Sequence, residues 1–155
     1  REVVDHLKYP PLGHRSVYGA LPHFNFQRQK PGEAPEKLNQ ANLLTVMLES
    51  PTAIENAEEI AAVPGVDVLL IGTGDLTSEM GIPGQALDER VVAAYERTIA
   101  AGAKHGKWVG MGGATSADAL SKYIGMGVRM ILAGNDLALL MEAAAARTKQ
   151  VRGYQ

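Results

Sequence analysis

Glu49 and Asp75 are the residues of this sequence best placed to do chemistry. Glu49 closes the apolar run Leu43–Leu44–Thr45–Val46–Met47–Leu48, and Asp75 closes Val66–Asp67–Val68–Leu69–Leu70–Ile71–Gly72–Thr73–Gly74. Short apolar runs of this kind read as buried parallel strands. The rims where such strands end are where α/β proteins place their reacting groups, so acids at two neighbouring ends can converge on one hard divalent cation. Each acid also precedes a helix start, Ser50–Pro51–Thr52 or Leu76–Thr77–Ser78, so helix capping stands beside metal binding as an equal reading.

The elements that would position these acids alternate. A strand over 42–49 leads to a helix from Thr52 to Val63, whose Ile54, Ala57, Ile60 and Ala61 recur at helical spacing and which Pro64–Gly65 ends. A strand over 66–71, a loop from Gly72 to Gln85 and a helix from Asp88 to His105 follow, the helix presenting Val91, Val92, Tyr95, Ile99 and Ala103. Then come a strand over 108–111, a helix from Ser116 that Gly125 and Gly127 end, and a strand over 128–133. The last helix, Leu137 to Val151, is apolar over most of its circumference and is expected to be covered on more than one side.

Upstream, residues 1–8 read as the end of a helix stopped by Tyr9–Pro10–Pro11, and residues 9–40 as a loop-rich segment. The chain opens without Met, and a preceding portion is expected. Strict β/α order implies a parallel sheet with helices packed outside it. At 155 residues an open doubly wound domain fits more comfortably than a closed (β/α)8 barrel, which needs about 250 residues. Gly72–Thr73–Gly74–Asp75 lacks the spacing of a dinucleotide fingerprint, and there is no phosphate-binding GxxxxGK[ST].

Composition excludes other classes. With 46% hydrophobic and 21% charged residues the chain is neither disordered nor membrane-like. A formal net charge of −2 without a basic run argues against nucleic acid or a membrane as partner. The absence of cysteine removes disulfides, thiolate metal sites and cysteine nucleophiles. No signal peptide or spanning apolar run is visible, so the cytoplasm is the expected location.

Several motifs together change the weights. Met47–Leu48–Glu49–Ser50–Pro51 with Ala53 and Asn56, Val63–Pro64–Gly65–Val66–Asp67, Ile71–Gly72–Thr73–Gly74–Asp75–Leu76–Thr77 and Gly81–Ile82–Pro83–Gly84–Gln85 resemble, in order and spacing, the HpcH/HpaI family of class II pyruvate-type aldolases. Tyr9–Pro10–Pro11–Leu12–Gly13–His14–Arg15–Ser16–Val17, Gly106–Lys107 and Ala133–Gly134–Asn135–Asp136–Leu137 are similar to further stretches of that family. The resemblance implies an α/β chain of the (β/α)8 TIM-barrel family: residues 1–155 as a single domain, the C-terminal half of a barrel, with four β/α units over 41–155.

It also implies that Glu49 and Asp75 are ligands of Mg²⁺, Mn²⁺ or Co²⁺, with water and a bidentate 2-oxo acid completing the coordination. The implied reaction is reversible cleavage of a 4-hydroxy-2-oxo acid to pyruvate, or a related 2-oxo acid, and an aldehyde, in a homo-oligomer that is hexameric by resemblance. The metal takes the place of a Schiff-base lysine, so Lys104 and Lys107 read as surface lysines. The amides of Thr73, Gly74 and Asp75 would meet the substrate carboxylate, because small residues let backbone N–H groups approach an anion.

This sequence departs from the family pattern in places. Met47 stands where a glutamine is common, which makes that wall more apolar, and Thr73 adds a hydroxyl to the turn. The family's general-base histidine and enolate-facing arginine belong to early strands outside this chain, and His14, His23 and Arg15 do not match them. Two alternatives stay open: an acyl-CoA lyase of the citrate/malyl type, and a catalytically inactive fragment that serves as an oligomeric scaffold.

Overall fold

The computed structural model describes residues 1–17 and 21–154. Among them four strands form: β1 (Thr45–Leu48), β2 (Val68–Gly72), β3 (Trp108–Gly112) and β4 (Met130–Ile131). They pair in parallel in chain order, with Leu48 opposite Ile71, Ile71 opposite Met111 and Met111 opposite Ile131. Partners in a parallel ladder share a face, so the registers sort the side chains into two layers. Leu48, Leu69, Ile71, Val109 and Met111 belong to the main core, together with Val91, Ala94, Tyr95 and Tyr123 from the helices. Thr45, Met47, Leu70, Gly110, Gly112 and Met130 occupy the other face.

The sheet curls towards that second face. A flat sheet would hold β1 and β4 about 14 Å apart across three strand spacings, yet Thr45 Oγ1 lies 3.9 Å from Met130 Sδ. Gly110 makes the approach possible, since a Cβ there would sit 2.7 Å from Leu70 Cδ1 and 3.2 Å from Met130 Cβ. The result is an arc of a barrel wall.

Helices cover the convex side. α1 (Glu2–Leu7) and α2 (Glu33–Ala41) precede the sheet; α3 (Pro51–Glu55) and α4 (Ala57–Ala61) follow β1. α5 (Thr73–Glu79) and α6 (Glu89–His105) follow β2, α7 (Ala117–Met126) follows β3 and α8 (Asp136–Arg152) follows β4. α6 buries Val91, Ala94, Tyr95, Thr98, Ala101 and Gly102 at helical spacing, is capped by the Asp88 side chain and stops at left-handed Gly106. At Gly102 it approaches β3 so closely that a Cβ would lie 2.9 Å from Val109 Cγ2.

Several expectations are corrected. The loop-rich segment 9–40 contains most of α2, in which Pro35 occupies a first-turn position that needs no N–H donor. The helix expected from Thr52 to Val63 breaks at Asn56, where the Glu55 carbonyl turns outward to accept a hydrogen bond from Arg97 Nη2 at 2.7 Å. The loop expected over 72–85 begins as α5, with Leu76 buried beneath it. β4 shortens to two residues. α8 buries none of its residues and leaves Leu137, Leu139, Leu140 and Met141 in solvent, so among the described residues nothing covers it.

At the starts of the strands, away from Glu49 and Asp75, buried Lys8 donates to the carbonyls of Asn42 and Asn39 at 2.9 and 3.3 Å. It lies 3.7 Å from Asp67, which accepts from the Leu44 amide. This knot fastens α1 and α2 to the first two strands.

Candidate metal and substrate site

The pairing of Leu48 with Ile71 brings Glu49 beside Gly72 at the carboxyl ends of β1 and β2. A Cβ on Gly72 would lie 3.0 Å from Glu49 Oε2 and 3.4 Å from Met47 Sδ, so the absence of a side chain leaves the space that the carboxylate occupies. Asp75 stands three residues further along the same turn, and both acids are exposed. Neither acid caps a helix. Ser50 is the cap of α3, its hydroxyl accepting from the Ala53 amide at 3.2 Å, and the cap position of α5 is Gly72. Asp75 lies in the first turn of α5, so the capping reading of both residues is set aside.

Thr73, Gly74 and Asp75 open α5, and first-turn N–H groups have no partner within a helix. The loop after β3 passes directly over them. Gly113, at φ +77°, is so close that a Cβ would stand 2.8 Å from the Gly74 nitrogen and 3.7 Å from that of Thr73. Only glycine permits this approach, and its importance was not visible in the sequence beyond the pair Gly112–Gly113 at a strand end. Met47 and Leu132, both partly exposed, give the surroundings an apolar character.

The Thr73 hydroxyl does not join the wall. It points into the core and shares a 2.7 Å hydrogen bond with the Tyr95 hydroxyl. Tyr95 stacks on Tyr123 with ring centroids 3.7 Å apart, and the Tyr123 hydroxyl donates to the Ala86 carbonyl. Burial pushes both phenols up, each to about 12, the Thr73 bond partly opposing it at Tyr95. The sequence marked Tyr95 only as part of an apolar helix face.

The remaining candidates lie elsewhere. Lys104 pairs with Glu58 on the outer helices. His14 contacts Asp5 at 2.5 Å, and the Arg15 guanidinium lies 5.0 Å from the Tyr9 ring centre. Among the described residues no group of three or more His, Cys, Asp or Glu side chains gathers. Glu49 and Asp75, exposed at the ends of neighbouring strands, offer oxygen donors only, the donor chemistry that suits a hard divalent cation.

Comparison with known proteins shows the family. The family model for HpcH/HpaI aldolase/citrate lyase matches residues 1–143. The chain is 38% identical, over 93% of its length, to a 4-hydroxy-4-methyl-2-oxoglutarate aldolase of Chaetomium globosum, of which it covers 55%. It is 37% identical over its full length to a hydroxypyruvate/pyruvate aldolase of Delftia acidovorans, of which it covers 57%. The solved HpcH/HpaI aldolase of Desulfitobacterium hafniense superposes with a TM-score of 0.86 at 31% identity, over 98% of this chain and 58% of that one. The chain thus spans little more than half the length of these relatives, and its curled sheet is a partial TIM barrel. Matched from its first residue to the middle of its last helix, it belongs to the HpcH/HpaI aldolase/citrate lyase family.

Proposed function

We propose that this chain contributes the metal-binding and 2-oxo-acid-binding part of a class II aldolase that reversibly cleaves a 4-hydroxy-2-oxo acid to pyruvate, or a related 2-oxo acid, and an aldehyde. The observation that carries the reading is the clustering at one sheet edge of the Glu49 carboxylate, set into the space left by Gly72, with the turn that bears Asp75. Glu49 and Asp75 would hold Mg²⁺, Mn²⁺ or Co²⁺. When bound, the cation would stabilise the negative charge that develops on the oxo-acid oxygen as the carbon–carbon bond breaks.

The other contributions come from the protein. The amides of Thr73, Gly74 and Asp75 would orient the substrate carboxylate, and Gly113, without a side chain, lets the loop after β3 pass over them free of a clash. Met47, whose sulfur lies beside Gly72, gives that side of the site an apolar surface. Lys104, bound to Glu58 away from this edge, is not placed to form a Schiff base. In the proposed setting the enzyme works in the cytoplasm as a homo-oligomer.

The direct test is titration of Mn²⁺ into the chain by calorimetry, with and without pyruvate, beside Glu49→Gln and Asp75→Asn. Binding that pyruvate strengthens and either substitution abolishes is the expected result. A folded chain that binds no Mn²⁺, or variants that bind as well as the parent, would overturn the reading.

The uncovered α8 favours a second role, as an assembly element. Deleting the residues after Leu139 is then expected to dissolve oligomers while the monomer stays folded, as sedimentation and circular dichroism would show.

A further inference from the structure

Behind the turn that carries Asp75, two hydroxyls are buried together. Thr73 and Tyr95 are 1% and 0% exposed, and their oxygens lie 2.7 Å apart. A hydroxyl in an apolar core is costly without a partner, and here each satisfies the other. The Tyr95 ring stacks on that of Tyr123, whose hydroxyl reaches the Ala86 carbonyl. The stacked rings, one from α6 and one from α7, thereby grip both ends of the segment 73–86. Within it, Thr77 Oγ1 donates to the Gly74 carbonyl at 2.9 Å and accepts from the Gly84 amide at 3.2 Å, while Ser78 Oγ donates to the same carbonyl at 2.9 Å. Gly74 is consequently anchored through its carbonyl, while its nitrogen lies beneath Gly113 and its successor is Asp75.

We infer that Tyr95 is a positioning residue of the site: through the Thr73 hydroxyl it fixes the Gly72–Asp75 turn in its ligand-ready shape, and Tyr123 holds the far end of the same segment. A tyrosine needed only for packing would give up its hydroxyl at little cost to the site. A tyrosine that acts through Thr73 would not, because Phe leaves the threonine hydroxyl buried and unpaired next to the turn. The inference rests on the aldolase reading for what the turn binds, and on hydrogen bonds alone for what holds it.

Both parts can be read in this chain with Tyr95→Phe, Thr73→Val and Thr73→Ser. Segment-resolved amide hydrogen exchange is expected to speed up about tenfold over residues 73–86 in Tyr95→Phe and Thr73→Val, while β2 and β3 keep parental rates and Thr73→Ser stays close to the parent. Calorimetry in saturating Mn²⁺ is expected to show pyruvate affinity reduced about tenfold in the first two variants and retained in Thr73→Ser. Unchanged exchange over 73–86, or a uniform rise across the chain, would overturn the inference; so would faster local exchange with undiminished pyruvate affinity. If the parent binds neither Mn²⁺ nor pyruvate, the aldolase reading fails, and with it the claim about ligand binding, whereas the exchange data still decide whether Tyr95 holds the turn.

Discussion

Gly72 and Gly113 shape the site by what they lack. A methyl group on Gly72 would push against the Glu49 carboxylate, so Gly72→Ala is expected to weaken Mn²⁺ binding by about tenfold or more while the core persists, a loss that calorimetry and circular dichroism would separate. Gly113→Ala adds left-handed strain, about 1 kcal/mol, to a clash with the Gly74 nitrogen, and is expected to lower pyruvate affinity more than Mn²⁺ affinity. The buried phenols govern the alkaline limit. Tyr95 and Tyr123 keep their protons to about 12, whereas unfolded tyrosines release theirs near 10, so their contribution is complete below pH 10 and declines from there to about pH 12. In urea unfolding followed from neutral pH to about 11, Tyr95→Phe is expected to decline less steeply than the parent. The placement of Glu49 and Asp75 just beyond two neighbouring strands was legible because a strand end is written in the chain itself. The inward turn of the Thr73 hydroxyl and the closeness of Gly113 were not, because each depends on which segments meet in space.

At the scale of elements, local signals were read well where burial follows a period. The apolar runs became β1 to β3, and α6 lies within a residue of its sequence limits because Asp88 and Gly106 mark both ends. α2 escaped because it buries a single residue, Leu38, and is otherwise polar, so it has no apolar stripe to recognise. α5 escaped because its glycine-rich opening resembles a loop, while its support comes from the Thr77 and Ser78 hydroxyls on the Gly74 carbonyl. The break at Asn56 depends on Arg97, 42 positions beyond the Glu55 carbonyl that it holds. Caps offer the cleanest test of local design. Ser50→Ala removes the acceptor for the Ala53 amide and is expected to cost about 1 kcal/mol in urea unfolding, without the loss of metal binding expected of Glu49→Gln.

For the whole molecule, the arc leaves apolar surface on its concave side and along α8. Met47 and Trp108 are 52% and 61% exposed, and Leu140 on α8 is 66% exposed. Surface of this extent is expected to drive concentration-dependent association of the chain, visible by sedimentation. Trp108 is the only tryptophan, so its fluorescence reports on the concave face alone and is expected to become shielded from acrylamide as association proceeds.

The strand order carries a consequence for biosynthesis. Each strand pairs with its immediate neighbours in the chain, so every template is already made when the next strand emerges. A ribosome adding about 5–20 residues per second would deliver successive strands seconds apart, each to a waiting edge. The arc can grow in the direction of translation, and the contact of Thr45 with Met130, spanning 85 positions, can form only once β4 has arrived.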